Sequence, residues 1–163
     1  MRGPETDLSH SNAGMLVTIL LCDAAQAVGG KLYVLGGGWS ITGPQPAPMA
    51  VALKLSVPWA DANRRFNIRI VLVDADGHPV RLPTGPDGVD QSVEVPFAFE
   101  AGRPAGLVPG TALDGCFAVN FPPMPLLPGA RYEWRVEVDG RCEDAWRVPF
   151  SVRPNGPGGF SPA

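Results

Sequence analysis

Apolar and polar residues alternate with a period of two along most of this chain, in segments bounded by Gly, Pro, Asp and Asn. Successive side chains of a β-strand face opposite sides of a sheet, so this period predicts strands with one buried and one exposed face. Residues 131–139 are the clearest case, because Tyr, Trp and Val alternate there with Arg, Glu and Asp. Similar rows occupy residues 49–57, 66–72 and 93–99.

Shorter apolar segments add strands at residues 80–82, 116–121 and 146–152. Residues 15–22 are apolar on both faces and predict a central strand, from which residues 32–35 return after a Gly-Gly turn. Pro96 cannot donate a ladder hydrogen bond and therefore predicts a sheet edge or a bulge. These eight or nine strands, with no helix, predict an all-β fold. We expect an antiparallel two-sheet β-sandwich of the immunoglobulin-like kind, with a barrel as the alternative.

The size and composition of the chain predict one domain with loose ends. A chain of 163 residues suits a single domain, and 20 glycines and 19 prolines argue against long helices. Residues 14–153 are the predicted sandwich domain. We expect a flexible N-terminal extension over residues 1–13, with Met15 as an alternative start, and a disordered Pro/Gly-rich tail over residues 154–163.

Charge and cysteine content limit the partners and the compartment. A net charge of −3 leaves no basic surface for nucleic acid or an anionic membrane, so neither is an expected partner. Three cysteines form neither a closed disulfide set nor a zinc-ligand spacing, which favours reduced thiols and a cytoplasmic location. Secretion stays as the alternative, because the apolar segment of residues 15–27 ends in Ala-Gln-Ala, although no positive region precedes it.

No motif predicts a metal, a cofactor or a catalytic residue. Asp74-Ala75-Asp76-Gly77 begins like a calcium loop, but the ligand positions that should follow hold His78 and Gly85, so the segment is interpreted as a turn. His78 is the only histidine within the predicted domain. A nucleophilic site would need it to meet Cys22 and Asp23 in space, which the sequence does not indicate. We therefore expect no enzymatic activity.

Two sets of residues are candidates for an interaction surface. Trp59 ends a predicted strand after a proline, and Arg64 and Arg65 follow it, which together would make a small anion or partner site. The second set lies in the proline-rich segment of residues 121–129 and consists of Met124, Leu126 and Leu127. These three either form an apolar patch for a protein partner or cap the open end of the core.

Four short motifs carry a resemblance to a known family. They are Cys-Asp-x-Ala at residues 22–25, Gly-Gly-x-Trp at 36–39, Val-Pro-Trp at 57–59 and Tyr-x-Trp-x-Val-x-Val-Asp-Gly at 132–140. Over about residues 15–152 the chain resembles an uncharacterised bacterial family of short soluble β-rich proteins. That family has no assigned activity, so the resemblance implies a fold and no catalytic residue.

The leading hypothesis is a non-enzymatic β-sandwich that acts as a binding or assembly module. Its partner is expected to be a protein, either a second copy of this chain or another polypeptide. The alternative is a small-ligand-binding protein or hydrolase, with a site near Cys22, Asp23 and His78 or near Trp59 and Arg64.

Overall fold

A computed structural model describes residues 14–84 and 86–156. The predicted flexible extension, residues 1–13, and residues 157–163 of the predicted tail lie outside the described residues. Within the described residues the chain is all-β, as predicted, with twelve strands, two short 3-10 turns and no α-helix.

The strands in chain order are β1 (Leu16–Cys22), β2 (Ala24–Val28), β3 (Lys31–Leu35), β4 (Ile41–Thr42), β5 (Met49–Val57), β6 (Arg65–Asp74), β7 (Arg81–Thr84), β8 (Val89–Ser92), β9 (Glu94–Glu100), β10 (Leu113–Phe121), β11 (Arg131–Val138) and β12 (Arg147–Val152). The 3-10 turns span Trp59–Asp61 and Asp144–Trp146.

These strands form four sheets, where the sequence predicted two. A three-stranded sheet has the order β1-β5-β10, and a five-stranded sheet has the order β4-β12-β11-β6-β9. Two hairpins, β2-β3 and β7-β8, make up the others, and no sheet closes on itself within residues 14–84 and 86–156. All neighbours are antiparallel except β4 and β12. The sequence analysis missed β2, β4 and β8, because β2 continues directly from β1 and the other two are short or polar.

One hydrophobic core joins the three-stranded and five-stranded sheets. The inward face of β11 buries Tyr132, Trp134, Val136 and Val138, as the alternation predicted. The inward face of β5 contributes Val51, Leu53, Leu55 and Val57 to the same core cluster. On the other face of the five-stranded sheet, Arg69 pairs with Glu94 at 2.5 Å and with Glu137 at 2.9 Å. The inward faces are therefore apolar, whereas the outer face of the five-stranded sheet carries ion pairs beside the buried Val71 and Val73.

The position of β1 corrects a prediction. This strand lies at an edge of its sheet, and β5 is the central strand. On the apolar outer face of β1, Leu16 and Leu20 are exposed to solvent. Only Cys22 on this face is fully buried, because the β2-β3 hairpin covers it. The returning segment, β3, pairs with β2 and not with β1. The edge position predicted from Pro96 is confirmed, because β9 ends the five-stranded sheet.

Candidate functional site

The thiol of Cys22 is buried and is not placed for catalysis. Its side chain has no exposed surface, and Sγ donates a hydrogen bond to the carbonyl oxygen of Ala50 at 3.4 Å. Burial, reinforced by the negative charge of Asp23, raises the pKa of this thiol. Since the thiolate is the reactive form of cysteine, Cys22 is a poor nucleophile. The alternative site near Cys22, Asp23 and His78 finds no support, because Cys22 is buried and His78 is an exposed residue in the turn after β6.

We expect Cys22 to resist alkylation in the folded protein. Iodoacetamide should modify it at least about a hundredfold more slowly than Cys142, because reaction requires local opening of the sheet. Peptide mass spectrometry after timed labelling measures the two rates, and labelling in urea provides the control in which both thiols react. Equal labelling of Cys22 and Cys142 in the native protein would contradict this placement.

The acidic segment after β6 forms a turn, as the sequence predicted. Asp74 Oδ1 accepts hydrogen bonds from the backbone N–H groups of Asp76 at 3.0 Å and His78 at 2.9 Å. Gly77 has φ of +82°, which glycine adopts without strain. One potential ligand atom from each of Asp74, Asp76 and His78 lies within 4.8 Å of the others. The exposure of this group and the use of the Asp74 carboxylate in the turn indicate a structural role.

The predicted site at Trp59, Arg64 and Arg65 is divided between different partners. The guanidinium of Arg64 stacks over the ring of Phe66 at 4.5 Å and donates to Asp139 at 2.9 Å. Arg65 is exposed at the start of β6. Arg64 thus forms an ion pair with Asp139.

The cation beside Trp59 is Arg103, which the sequence analysis did not identify. Its guanidinium lies 4.6 Å from the centre of a Trp59 ring and donates to the Trp59 carbonyl oxygen at 2.8 Å. The two residues are 44 positions apart in the chain, so no local pattern could pair them. This contact orders the loop that follows β9.

Two of the three residues in the predicted apolar patch are buried. Met124 and Leu126 belong to the core cluster, with 7% and 9% of their surface exposed. Only Leu127 is exposed, and its backbone N–H donates to the hydroxyl of Tyr132 at 3.0 Å. The patch is therefore not a docking surface. Its first two members cap the end of the core, the alternative that the sequence left open.

The β2-β3 hairpin covers part of the outer face of the three-stranded sheet, and we call residues 24–35 the arm. Beneath the arm, Ala50 and Ala52 of β5 form a second buried cluster with Cys22 and Ala25. Small side chains on β5 allow this close approach. Asn120 of β10 holds the arm with two hydrogen bonds to the backbone of Ala25, one accepted from its N–H at 3.1 Å and one donated to its carbonyl oxygen at 2.8 Å.

The tip of the arm stands clear of the rest of the described chain. A Cβ atom placed on Gly29 or Gly30 would meet no atom within 4 Å. Val28, beside this turn, and Tyr33 and Leu35, on the arm's outer face, are all more than half exposed. The arm therefore exposes apolar side chains on the face turned away from the three-stranded sheet.

One edge of β10 has no paired strand among the described residues. This strand pairs with β5 on one side over all nine of its residues, and no described strand pairs with its other side. At the opposite end of the same sheet, the segment after β3 approaches β1, where the Gly38 N–H donates to the Leu21 carbonyl oxygen at 2.8 Å. In the five-stranded sheet, the end strand β9 carries Pro96, which has no backbone N–H to donate to an added strand.

A cleft of about 670 Å³ lies beside the first residues of β10. Its walls include Phe99, Leu107 and Leu113, with Arg103 and Asp114 among the charged residues. Phe97 and Phe99 of β9 pack against Phe117 of β10, with ring centres 4.8 and 5.1 Å apart. The side of the molecule where β9 and β10 end their sheets thus combines an unpaired strand, half-buried aromatic rings and a cleft.

The sequence profile of a family of unknown function, DUF6941, matches residues 17–153. The chain belongs to the DUF6941 family. This confirms the predicted resemblance to a family without an assigned activity, over nearly the predicted range. No curated protein matches the chain of this DUF6941 member. Among its described residues, no helix has the length and apolar character needed to cross a membrane.

Proposed function

We propose that this DUF6941 member is a non-enzymatic binding module built on an immunoglobulin-like β-sandwich, and that it binds an extended polypeptide by strand addition at β10. The core shared by the three-stranded and five-stranded sheets supports the sandwich arrangement. In strand addition, backbone hydrogen bonds supply affinity and alternate side chains supply specificity.

The observation that carries this proposal is the unpaired edge of β10. Proteins usually protect such edges with lysine, proline, bulges or a covering segment, because an open edge is a template for another strand. β10 has no lysine and no proline, and its one charged residue, Asp114, is held near its start by Lys54 at 2.9 Å. Phe117 and Val119 are only half buried along this edge, so an added strand would cover further apolar surface.

Other features limit the alternatives. Burial of Cys22 and the commitment of Arg64 to Asp139 give little support to a hydrolase or small-ligand site at the positions the sequence suggested. All three cysteines are free, which supports a module that works in a reducing compartment such as the cytoplasm. The net charge of −3 favours a protein partner over nucleic acid or a membrane surface.

A matched pair of variants tests the proposal. Cys116 of β10 and Thr18 of β1 flank Lys54 in the same row of the same sheet face, one at each end of the sheet. Cys116→Lys places a charged side chain at the β10 edge, which disfavours pairing with another strand. Thr18→Lys adds the same charge beside Lys54 at the β1 edge. Both side chains point away from the core, so neither change removes a core contact.

Peptides selected from a displayed library of random nonapeptides should bind the purified, dilute protein through β10. We expect them to slow amide hydrogen exchange in β10, to lose affinity about tenfold or more for Cys116→Lys, and to retain it for Thr18→Lys. Failure of the monomeric protein to select any peptide, or selection of peptides that bind both variants equally, would overturn strand addition at this edge.

A further inference from the structure

We infer that the strand bound by β10 is β10 of a second copy of this chain, paired antiparallel about a twofold axis at Phe117. This inference rests on the proposed function and names the partner. Antiparallel pairing of two nine-residue strands would join two three-stranded sheets into one of six strands. It would also add about eight to ten backbone hydrogen bonds.

The sequence of β10 is complementary to itself in this register. In a twofold interface the same surface of both copies is in contact, so if residue i of one copy contacts residue j of the other, then residue j also contacts residue i. Centring the pair on Phe117 places Asp114, the one charged residue of β10, opposite the amide side chain of Asn120. No like charges are therefore opposite each other. The resulting pairs are Leu113 with Phe121, Asp114 with Asn120, Gly115 with Val119, Cys116 with Ala118 and Phe117 with itself.

The two faces of the paired strands suit their surroundings. On the inward face, the two Phe117 rings would be directly opposite, extending the aromatic cluster that each already forms with Phe97 and Phe99. On the outward face, the pair nearest the axis consists of the small side chains of Cys116 and Ala118. Small residues there leave room for the arms, which lie over that face of each sheet.

The arm supplies a second reason for a partner at this edge. Asn120 anchors Ala25 at β10, and the turn at Gly29 and Gly30 stands clear of the described body. A strand added to β10 would lie nearest the arm's inner face, where Ala27 and Leu32 share the side of the buried Ala25. In a twofold dimer each copy contributes one arm, so one arm lies at each end of the paired β10 strands.

Light scattering coupled to gel filtration tests this dimer directly. We expect the unmodified chain and Thr18→Lys each to have twice the chain mass of 17.2 kDa. Cys116→Lys should weaken the dimer at least about tenfold and run as a monomer at the same concentration, because lysines of the two copies would be diagonal neighbours across the axis. Circular dichroism of both variants checks that they remain folded. A monomeric parent, or a dimer that survives Cys116→Lys as well as Thr18→Lys, overturns the inference.

A cysteine introduced opposite Cys116 tests the register. In Ala118→Cys, each new thiol would face Cys116 of the other copy, and their Cα atoms would be about 4.5–5.5 Å apart, within the usual range for a disulfide. Diamide, which accepts the two electrons and two protons of each thiol pair, should then give a covalent dimer linked between positions 116 and 118. The unmodified chain should give no such link, because its Cys116 residues are diagonal. Absence of the 116–118 link in a dimeric Ala118→Cys protein rejects this register.

The outcomes separate the inference from the proposed function. A monomer that still captures peptides through β10 retains strand addition but requires a different protein as partner. A monomer that captures none overturns both, and a dimer insensitive to the β10 variants places self-association elsewhere.

Discussion

Trp134→Ala is expected to lower the free energy of unfolding by about 3–5 kcal/mol, because it removes the largest fully buried side chain of the core. Trp134 lies in the middle of β11, between Leu72 of β6 and Val148 of β12. Its ring stacks on Phe121 with centres 4.5 Å apart, so truncation would also expose one side of that ring to a cavity. Urea denaturation followed by tryptophan fluorescence and circular dichroism measures the loss.

Trp134→Phe is the control that separates volume from polarity. The buried indole Nε1 has no hydrogen-bond acceptor among the described residues. Leaving such a donor unpaired costs about 1–3 kcal/mol, so its removal offsets part of the lost packing. We expect Trp134→Phe to cost less than about 2 kcal/mol. A loss as large as that of the alanine variant would show that the whole indole, including its N–H, stabilises the core.

Gly115→Ala is expected to destabilise the protein by about 1–3 kcal/mol through overpacking at the β9 and β10 side. A Cβ atom at this position would lie 2.7 Å from Phe99 Cε2, which is closer than Cβ atoms approach in proteins, and 3.0 Å from Phe117 Cε2, which is an unusually tight contact. The φ angle is not in the left-handed region, so the effect is steric rather than a backbone strain. Thermal unfolding at one fixed protein concentration measures it, since association would otherwise shift the midpoint.

Gly43→Ala provides the matched comparison for Gly115→Ala. Gly43 also lies outside the left-handed region, and a Cβ atom there would meet nothing within 4 Å. Its replacement should change the free energy of unfolding by less than about 1 kcal/mol. Any increase in stability would come from the lower conformational entropy of the unfolded chain. Equal losses for the two glycines would contradict the close packing of Phe99 and Phe117 around Gly115.

The local sequence pattern was sufficient to predict a residue's environment wherever that environment depends on its near neighbours in the chain. Alternation predicted which side chains of β5 and β11 face the core, because a strand turns successive residues to opposite sides. Pro96 predicted an edge, because proline lacks the N–H that a central strand needs. The acidic turn at Asp74 was also predictable, because its hydrogen bonds join residues at most four positions apart.

Contacts between distant segments were beyond such reasoning. Met124 and Leu126 have the composition of an apolar patch, and only the packing of their loop against the end of the core buries them. Trp59 was paired in the sequence with the adjacent Arg64, whereas the fold brings Arg103 to it from 44 residues away. Apolar character alone does not distinguish a surface from a core, because both require the same residue types.

The amino-acid sequence of this DUF6941 member therefore specifies an all-β chain, the faces of its longest strands and several of its turns, all of which depend on short-range chemistry. The tertiary structure decides the strand order, the docking of the arm over Ala50 and Ala52, and the exposure of the β10 edge. Alternation assigns a strand two faces but not its neighbours, since any strand can hydrogen-bond to any other through the same backbone groups. Which edge stays unpaired is set by the packing of the whole chain.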